Sequence, residues 1–327
     1  TALLLVILTY GMETTFFRFV NKEGENSEKV YHTVLSMVGF TSLLFVALVV
    51  VFLQPLSSLM GYADHPSYVW TMFVTVAIDA FQCIPFAYLR YKKRPIKFAA
   101  LKLLFILLNI LLNLGYYVVL GGHDVGYAFY INLACTASIT FCFYKELHDG
   151  FTGPFASWQE TKQLIRRMLS YSWPILVLGI AGILNQTADK ILFPFLYADK
   201  AYANEQLGIY GACFKIAVVM VMFTQAFRYA YEPFVFGKAK DKDSRATYAA
   251  AMKYFLIFTL LAFLVVVGYI DVLRHIIGRD YWAGLRVVPI VMAAEIMMGI
   301  YFNLSFWYKL IDKTIWGAYF SGIGCLV

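Results

Sequence analysis

The sequence predicts an all-α integral membrane protein, built as a two-lobe bundle of transmembrane helices, and three observations predict it. Of the 327 residues, 61% are hydrophobic and only 14% charged, a composition far from that of a soluble domain. The apolar residues gather into runs close to the length of about 20 that a helix rising about 1.5 Å per residue needs to cross about 30 Å of hydrocarbon. The Lys and Arg residues concentrate in every second connection between those runs, as they do on the cytoplasmic side of membrane proteins.

Apolar segments lie at residues 1–20, 30–53, 67–89, 98–120, 126–144, 171–193, 207–233, 248–270, 285–307 and 315–327, giving about ten visible spans. Pro85, Pro174, Pro194, Pro233 and Pro289 fall at or within helix ends, which suits the bent helices of transporters. Alternate connections and their flanks test the assignment. One set carries eighteen bases, among them Arg90, Lys92, Lys93, Arg94 and Lys97, while the set at Gln54, Leu120, Pro194 and Asp271 carries only Lys200, Arg274 and Arg279. Eighteen against three places the first set in the cytoplasm and the start of the first span outside. The sequence begins and stops inside apolar runs, which reads as a fragment whose missing part holds at least one more helix entering from the cytoplasm.

The longest connection, Lys145 to Ser170, contains SWQETKQLIRRML, whose Leu164, Ile165, Met168 and Leu169 share one helical face. That pattern predicts an interfacial helix joining two bundles. The expected organisation is therefore an N-lobe over 1–145, a cytoplasmic linker over 146–170 and a C-lobe over 171–327.

Charge is expensive inside a membrane, so depth and helical face decide which polar residues matter. Arg18, Lys102, Lys253 and Arg286 lie near segment ends, where long side chains reach the interface, whereas Asp79, Lys215 and Glu295 lie deeper. Thr71, Thr75, Asp79 and Gln82 share one face of the third segment, and Lys102, Asn109 and Asn113 one face of the fourth. Tyr10, Glu13, Thr14 and Arg18 form a broad sector on the first. In the seventh, Arg228 is placed to pair with Glu232 on a face that also approaches Lys215. The sixth ends in NQTADKILF, where Asn185, Gln186, Asp189 and Lys190 occupy less than half of the helix circumference. Two readings fit such stripes: a hydrated cavity between the lobes, or hydrogen bonds that hold helices together.

Several function classes are excluded. The net charge of +7 comes largely from the loops, which fits a membrane surface and no nucleic-acid partner. Cys83, Cys135, Cys142, Cys213 and Cys325 lie in apolar runs without a CxxC pair, and the five His are scattered, so core cysteines and no metal site are expected. There is no GxxxxGK[ST] loop, no HExxH and no clustered Ser, His and Asp, so neither cofactor nor enzymatic chemistry is expected.

YGMETTFFRF at Tyr10 to Phe19, IPFAYLRYKKRPIKFAALK at Ile84 to Lys102, NQTADKILF followed by LGIYGACFKIAVV at Leu207 to Val219, and FRYAYEPFVFGKA at Phe227 to Ala239 resemble segments of one transporter family. They are similar to the polysaccharide transporters, or oligosaccharide flippases, of the multidrug/oligosaccharidyl-lipid/polysaccharide exporter superfamily. The resemblance implies two six-helix lobes around a cavity that opens alternately to either side, as in the related MATE-like proteins. It implies a polyprenyl-diphosphate-linked oligosaccharide as substrate, moved across the bacterial cytoplasmic (inner) membrane for O-antigen, capsule, lipopolysaccharide or exopolysaccharide synthesis. Membrane lipid and the glycan polymerase machinery are the further partners it implies. Arg18, Lys190, Lys215 and Arg228 match positions where the family's motifs carry bases, and so become its substrate-binding candidates. Cations inside the membrane suit a diphosphate. Glu13, Asp79, Asp189, Glu232 and Glu295 mix the sign of the same region and suit ion coupling or ion pairing.

Two rival readings remain open at this point. An ion-coupled drug or metabolite antiporter of the same superfamily would use the acids to bind cations. A membrane glycan polymerase would need a long outer loop, whereas the outer connections here hold about a dozen residues each.

Overall fold

The computed structural model describes residues 2–22, 24–60, 62–124, 126–152, 158–195, 199–239 and 243–326, and among them there are helices and no strands. Among the described residues, eight helical stretches are long and apolar enough to cross a membrane, or nine if a bent pair counts as one span. Each of the ten predicted apolar segments falls on helix. The last, Ile315–Leu326, runs for 12 residues, short of a full crossing. The chain divides into two compact units, residues 1–180 and 181–327.

The first unit opens with α1 (Ala2–Thr9) and α2 (Met12–Val20), which share one predicted span broken at Tyr10 and Gly11. Both break residues have positive φ, 32° and 71°. A Cβ on Gly11 would sit 2.8 Å from Ile175 Cγ2. Glycine is thus required by conformation and by the close approach of another helix. Next come α3 (Ser27–Val51), capped by the Asn26 side chain on the Glu28 and Lys29 amides, and the short α4 (Leu53–Leu59). Pro66 and Pro95 start α5 (Pro66–Tyr91) and α6 (Pro95–Leu114), where a missing amide proton is harmless. A π-helical turn, Gly115–Val119, extends α6. α7 (Gly126–Cys142) and α8 (Tyr144–Thr152) meet at 59° about Phe143, whose ring is fully buried. Phe16, Phe17, Tyr31, Tyr88 and Phe143 are buried in this unit, with Tyr31 and Tyr88 stacked at 3.9 Å.

The predicted linker helix is not a separate element, because α9 (Trp158–Leu192) runs unbroken for 35 residues into the sixth apolar segment. Its amphipathic face packs on the first unit: Leu164 and Met168 are buried, while Leu169 faces outward. Two ion pairs fasten it to the turn around α2 and α3, Arg167 with Glu25 at 2.6 Å and Lys29 with Glu160 at 3.3 Å. The second unit contains α10 (Lys200–Lys238), α11 (Ser244–Gly268), α12 (Ile270–Leu273), a 3-10 stretch at Arg279–Arg286, α13 (Val287–Leu310) and α14 (Ile315–Leu326). Cys213, Ala217, Met220, Val288 and Met292 form its core where α10 meets α13. The cysteine reading needs one correction: Cys135 and Cys213 are buried, but Cys142, the last residue of α7 before the bend, is exposed. Cys325 lies outside the described side chains.

Candidate functional site

In the first unit the sector on α2 and the stripe on α5 meet. Glu13 pairs with Arg90, whose side chain is only 6% exposed. The guanidinium carbon also lies 4.9 Å from the Phe17 ring centre and 5.9 Å from that of Phe98, the geometry in which a ring quadrupole attracts a cation. By sequence position Arg90 is one of the loop bases, yet it shares a helix face with Asp79. The two are eleven residues apart, three helical turns, so Arg90 extends the predicted stripe by the same spacing rule.

Lys102 corrects the expectation of a base reaching for the interface. Its ammonium lies 4.1 Å from the centre of the Phe86 ring and within electrostatic reach of Asp79, Glu13 and Arg90. The cluster therefore holds two acids and two bases among the described residues. Arg18 is half-buried on α2, five residues beyond Glu13. Other members of the stripes on α5 and α6 act as interhelical glue. Gln82 donates to the Thr136 carbonyl at 2.7 Å and to the Thr140 hydroxyl at 2.8 Å, both on α7. Asn109 donates to Asn132, also on α7, at 3.2 Å, and Asn113 donates back to Asn109. Thr71 and Thr75 bond carbonyls of their own helix.

One buried acid was missed. Glu146, placed in the linker by sequence reading, has a side chain 2% exposed. Both of its oxygens accept from Lys97 at 2.7 Å, and Arg94 lies at 3.8 Å. Tyr31 donates to its backbone carbonyl at 3.0 Å. A signal existed: Glu146 lies two residues past the end of the fifth apolar segment. Lys97→Met is expected to lower stability by about 1–2 kcal/mol, because Arg94 can move in on the stranded carboxylate. Thermal unfolding in detergent would measure it.

In the second unit the predicted Arg228 and Glu232 gain a third member. Lys309, at the end of α13, is 4% exposed and Glu232 is 1% exposed. Arg228 lies 5.0 Å from the centre of the Phe302 ring, and Lys309 lies 4.9 Å from the same ring and 4.8 Å from Phe306. Both Glu232 and Arg228 are within electrostatic reach of Lys309. Among the described residues this cluster has two bases and one acid. Lys215 does not join it, being thirteen residues away along α10, about 20 Å at 1.5 Å per residue. Lys215 is exposed and lines a cavity with Val265, Val266 and Tyr269, level with the last turn of α11. Glu295 is half-buried on α13. The side chains of Asp189 and Lys190 lie outside the described residues.

A family model described as "Polysaccharide biosynthesis protein" matches residues 1–230. The chain belongs to this family. Its fold is that of the MATE transporters of the multidrug/oligosaccharidyl-lipid/polysaccharide superfamily. A mutant of the Vibrio cholerae MATE transporter VcmN superposes with a TM-score of 0.80 at 13% identity, covering 98% of this chain and 76% of that one. A MATE protein in a straight conformation gives 0.72 at 14% identity over 98% and 74% of the two chains. An outward-facing multidrug resistance MATE transporter of the same superfamily gives 0.66 at 14% identity, with 98% and 74% covered. No curated protein matches the chain. For this family member, then, the two-lobe expectation rests on a shared transporter fold and on two units each with its own charged cluster.

Proposed function

We propose that this multi-pass membrane transporter is a flippase for polyprenyl-diphosphate-linked oligosaccharides, working by alternating access in the bacterial inner membrane. The observation that carries the reading is the cluster of Arg228, Glu232 and Lys309 on α10 and α13, where bases outnumber acids inside apolar spans. Two bases beside one acid offer an anion a cationic place within apolar spans, and a guanidinium is suited to gripping phosphate oxygens two at a time. The family match supports a glycan-linked role. Arg228, half-buried and so reachable, is the proposed contact, with Lys309 as a point charge behind it. Arg18 joins the proposal from the first unit. Lys190 joins it by its sequence position alone. Glu295, half-buried on α13, is the acid proposed for ion coupling.

Complementation of a flippase-deficient bacterium tests this. The chain should restore surface polysaccharide. Arg228→Ala, at equal membrane abundance, should reduce it about tenfold or more, as expected for loss of a charged contact worth about 1.5–3 kcal/mol. Arg228→Lys should recover part of it. The rival reading, an ion-coupled antiporter, is favoured by the MATE-like fold. It predicts the opposite result: no restored polysaccharide, and gradient-driven efflux of a cationic dye.

A further inference from the structure

The cavity at Lys215 is a site of a different kind. It has a volume of about 600 Å³ and is walled by α10, α11 and the segment that follows α11, including Val219, Val265, Tyr269, Ile276 and Tyr281. All five of these residues are more than a third exposed and apolar or aromatic: Val219 is 39% exposed, Val265 52%, Tyr269 63%, Ile276 77% and Tyr281 40%. Lys215 is the one charged side chain among the described residues lining it, and none of that lining is acidic. The nearby acid Asp271 is engaged by Arg274 at 3.1 Å. The wall is locally fixed, since Cys213 donates to the Tyr281 carbonyl at 3.3 Å and Trp282 donates to the Arg274 carbonyl at 3.0 Å.

We propose that this cavity binds a singly charged anionic glycerophospholipid of the outer leaflet, with its phosphate on Lys215 and one acyl chain along the apolar wall. The chemistry selects this occupant in three steps. The walls are apolar and level with the end of a spanning helix, where lipid headgroups meet hydrocarbon, so a water-soluble anion gains little there. A lone ammonium on a flexible stem is a point charge that balances one phosphodiester, whereas a diphosphate calls for several cations or an Arg fork. A zwitterionic lipid would bring its own cation next to Lys215 with no carboxylate in the lining to receive it. The site is thus separate in place and in ligand from the cluster at Arg228.

Native mass spectrometry of the delipidated chain in detergent, titrated with phosphatidylglycerol, phosphatidylcholine or a polyprenyl phosphate, tests the assignment. Phosphatidylglycerol should bind in preference to phosphatidylcholine. Lys215→Gln should lower its occupancy about fivefold, the effect of one basic residue at a lipid surface, and Lys215→Arg should retain it. Val219→Trp, which fills the cavity and keeps the charge, should also lower it. Equal uptake of the two glycerophospholipids, or no response to Lys215→Gln, overturns the site. Displacement of phosphatidylglycerol by a lower concentration of the polyprenyl phosphate overturns the choice of ligand.

Discussion

Arg90→Ala is expected to lower the stability of the protein by about 2–4 kcal/mol and to abolish transport at temperatures where the native chain is active. The guanidinium is nearly buried, and removing it strands Glu13 and takes the cation away from two aromatic rings. Breaking a fully buried pair from one side costs about 3–5 kcal/mol because the remaining charge is uncompensated. Glu13 keeps 29% of its side-chain surface exposed, so part of that penalty is relieved by solvation or by Lys102. The loss of ring contacts adds about 0.5–1 kcal/mol. The decisive comparison is Glu13→Gln with Arg90→Met, in which no charge is left stranded. The double variant should be more stable than Arg90→Ala by about 1–2 kcal/mol in thermal unfolding. If the double variant is as unstable as the single one, the ring contacts and packing dominate and the ion pair contributes little.

Helix existence was legible because apolar run length and the alternation of basic loops are long-range, redundant signals. Helix continuity was not. SWQETKQLIRRML has the amphipathic face of a membrane-surface helix, but such a face serves equally well against protein, and ion pairs to Glu25 and Lys29 turn it inward. The polar stripes were legible as stripes, since helical spacing follows from residue numbers alone. Their roles depended on the facing helix. Gln82 and Asn109 both turn toward α7, where Thr136, Thr140 and Asn132 receive them. The bases Arg90 and Lys309 were hidden in the count of loop charges, because a residue close to a helix end can snorkel outward or fold back onto rings. Only the positions of Phe17, Phe98, Phe302 and Phe306 decide between these.

Gly11→Val should be the most damaging single substitution in the first unit, costing about 3 kcal/mol or more. Two penalties act together. At φ of 71° a β-branched side chain is strained by about 1–3 kcal/mol. The added Cβ would also meet Ile175 at 2.8 Å and the Ser172 carbonyl at 3.2 Å, so α9 must move or the turn must open, at about 1–3 kcal/mol for overpacking. Gly11→Ala separates them, because alanine meets the same atoms with a smaller conformational penalty and should cost about 2 kcal/mol. Ile175→Ala in the Gly11→Ala background then reports on the contact alone: it should return part of the loss if crowding matters, and deepen it by its own cavity if strain in the turn is everything. The turn also positions Glu13, two residues on, against Arg90. Gly11→Val is therefore expected to lose transport more steeply than its abundance in the membrane falls, a ratio that immunoblots and surface-polysaccharide measurements on the same cells would give.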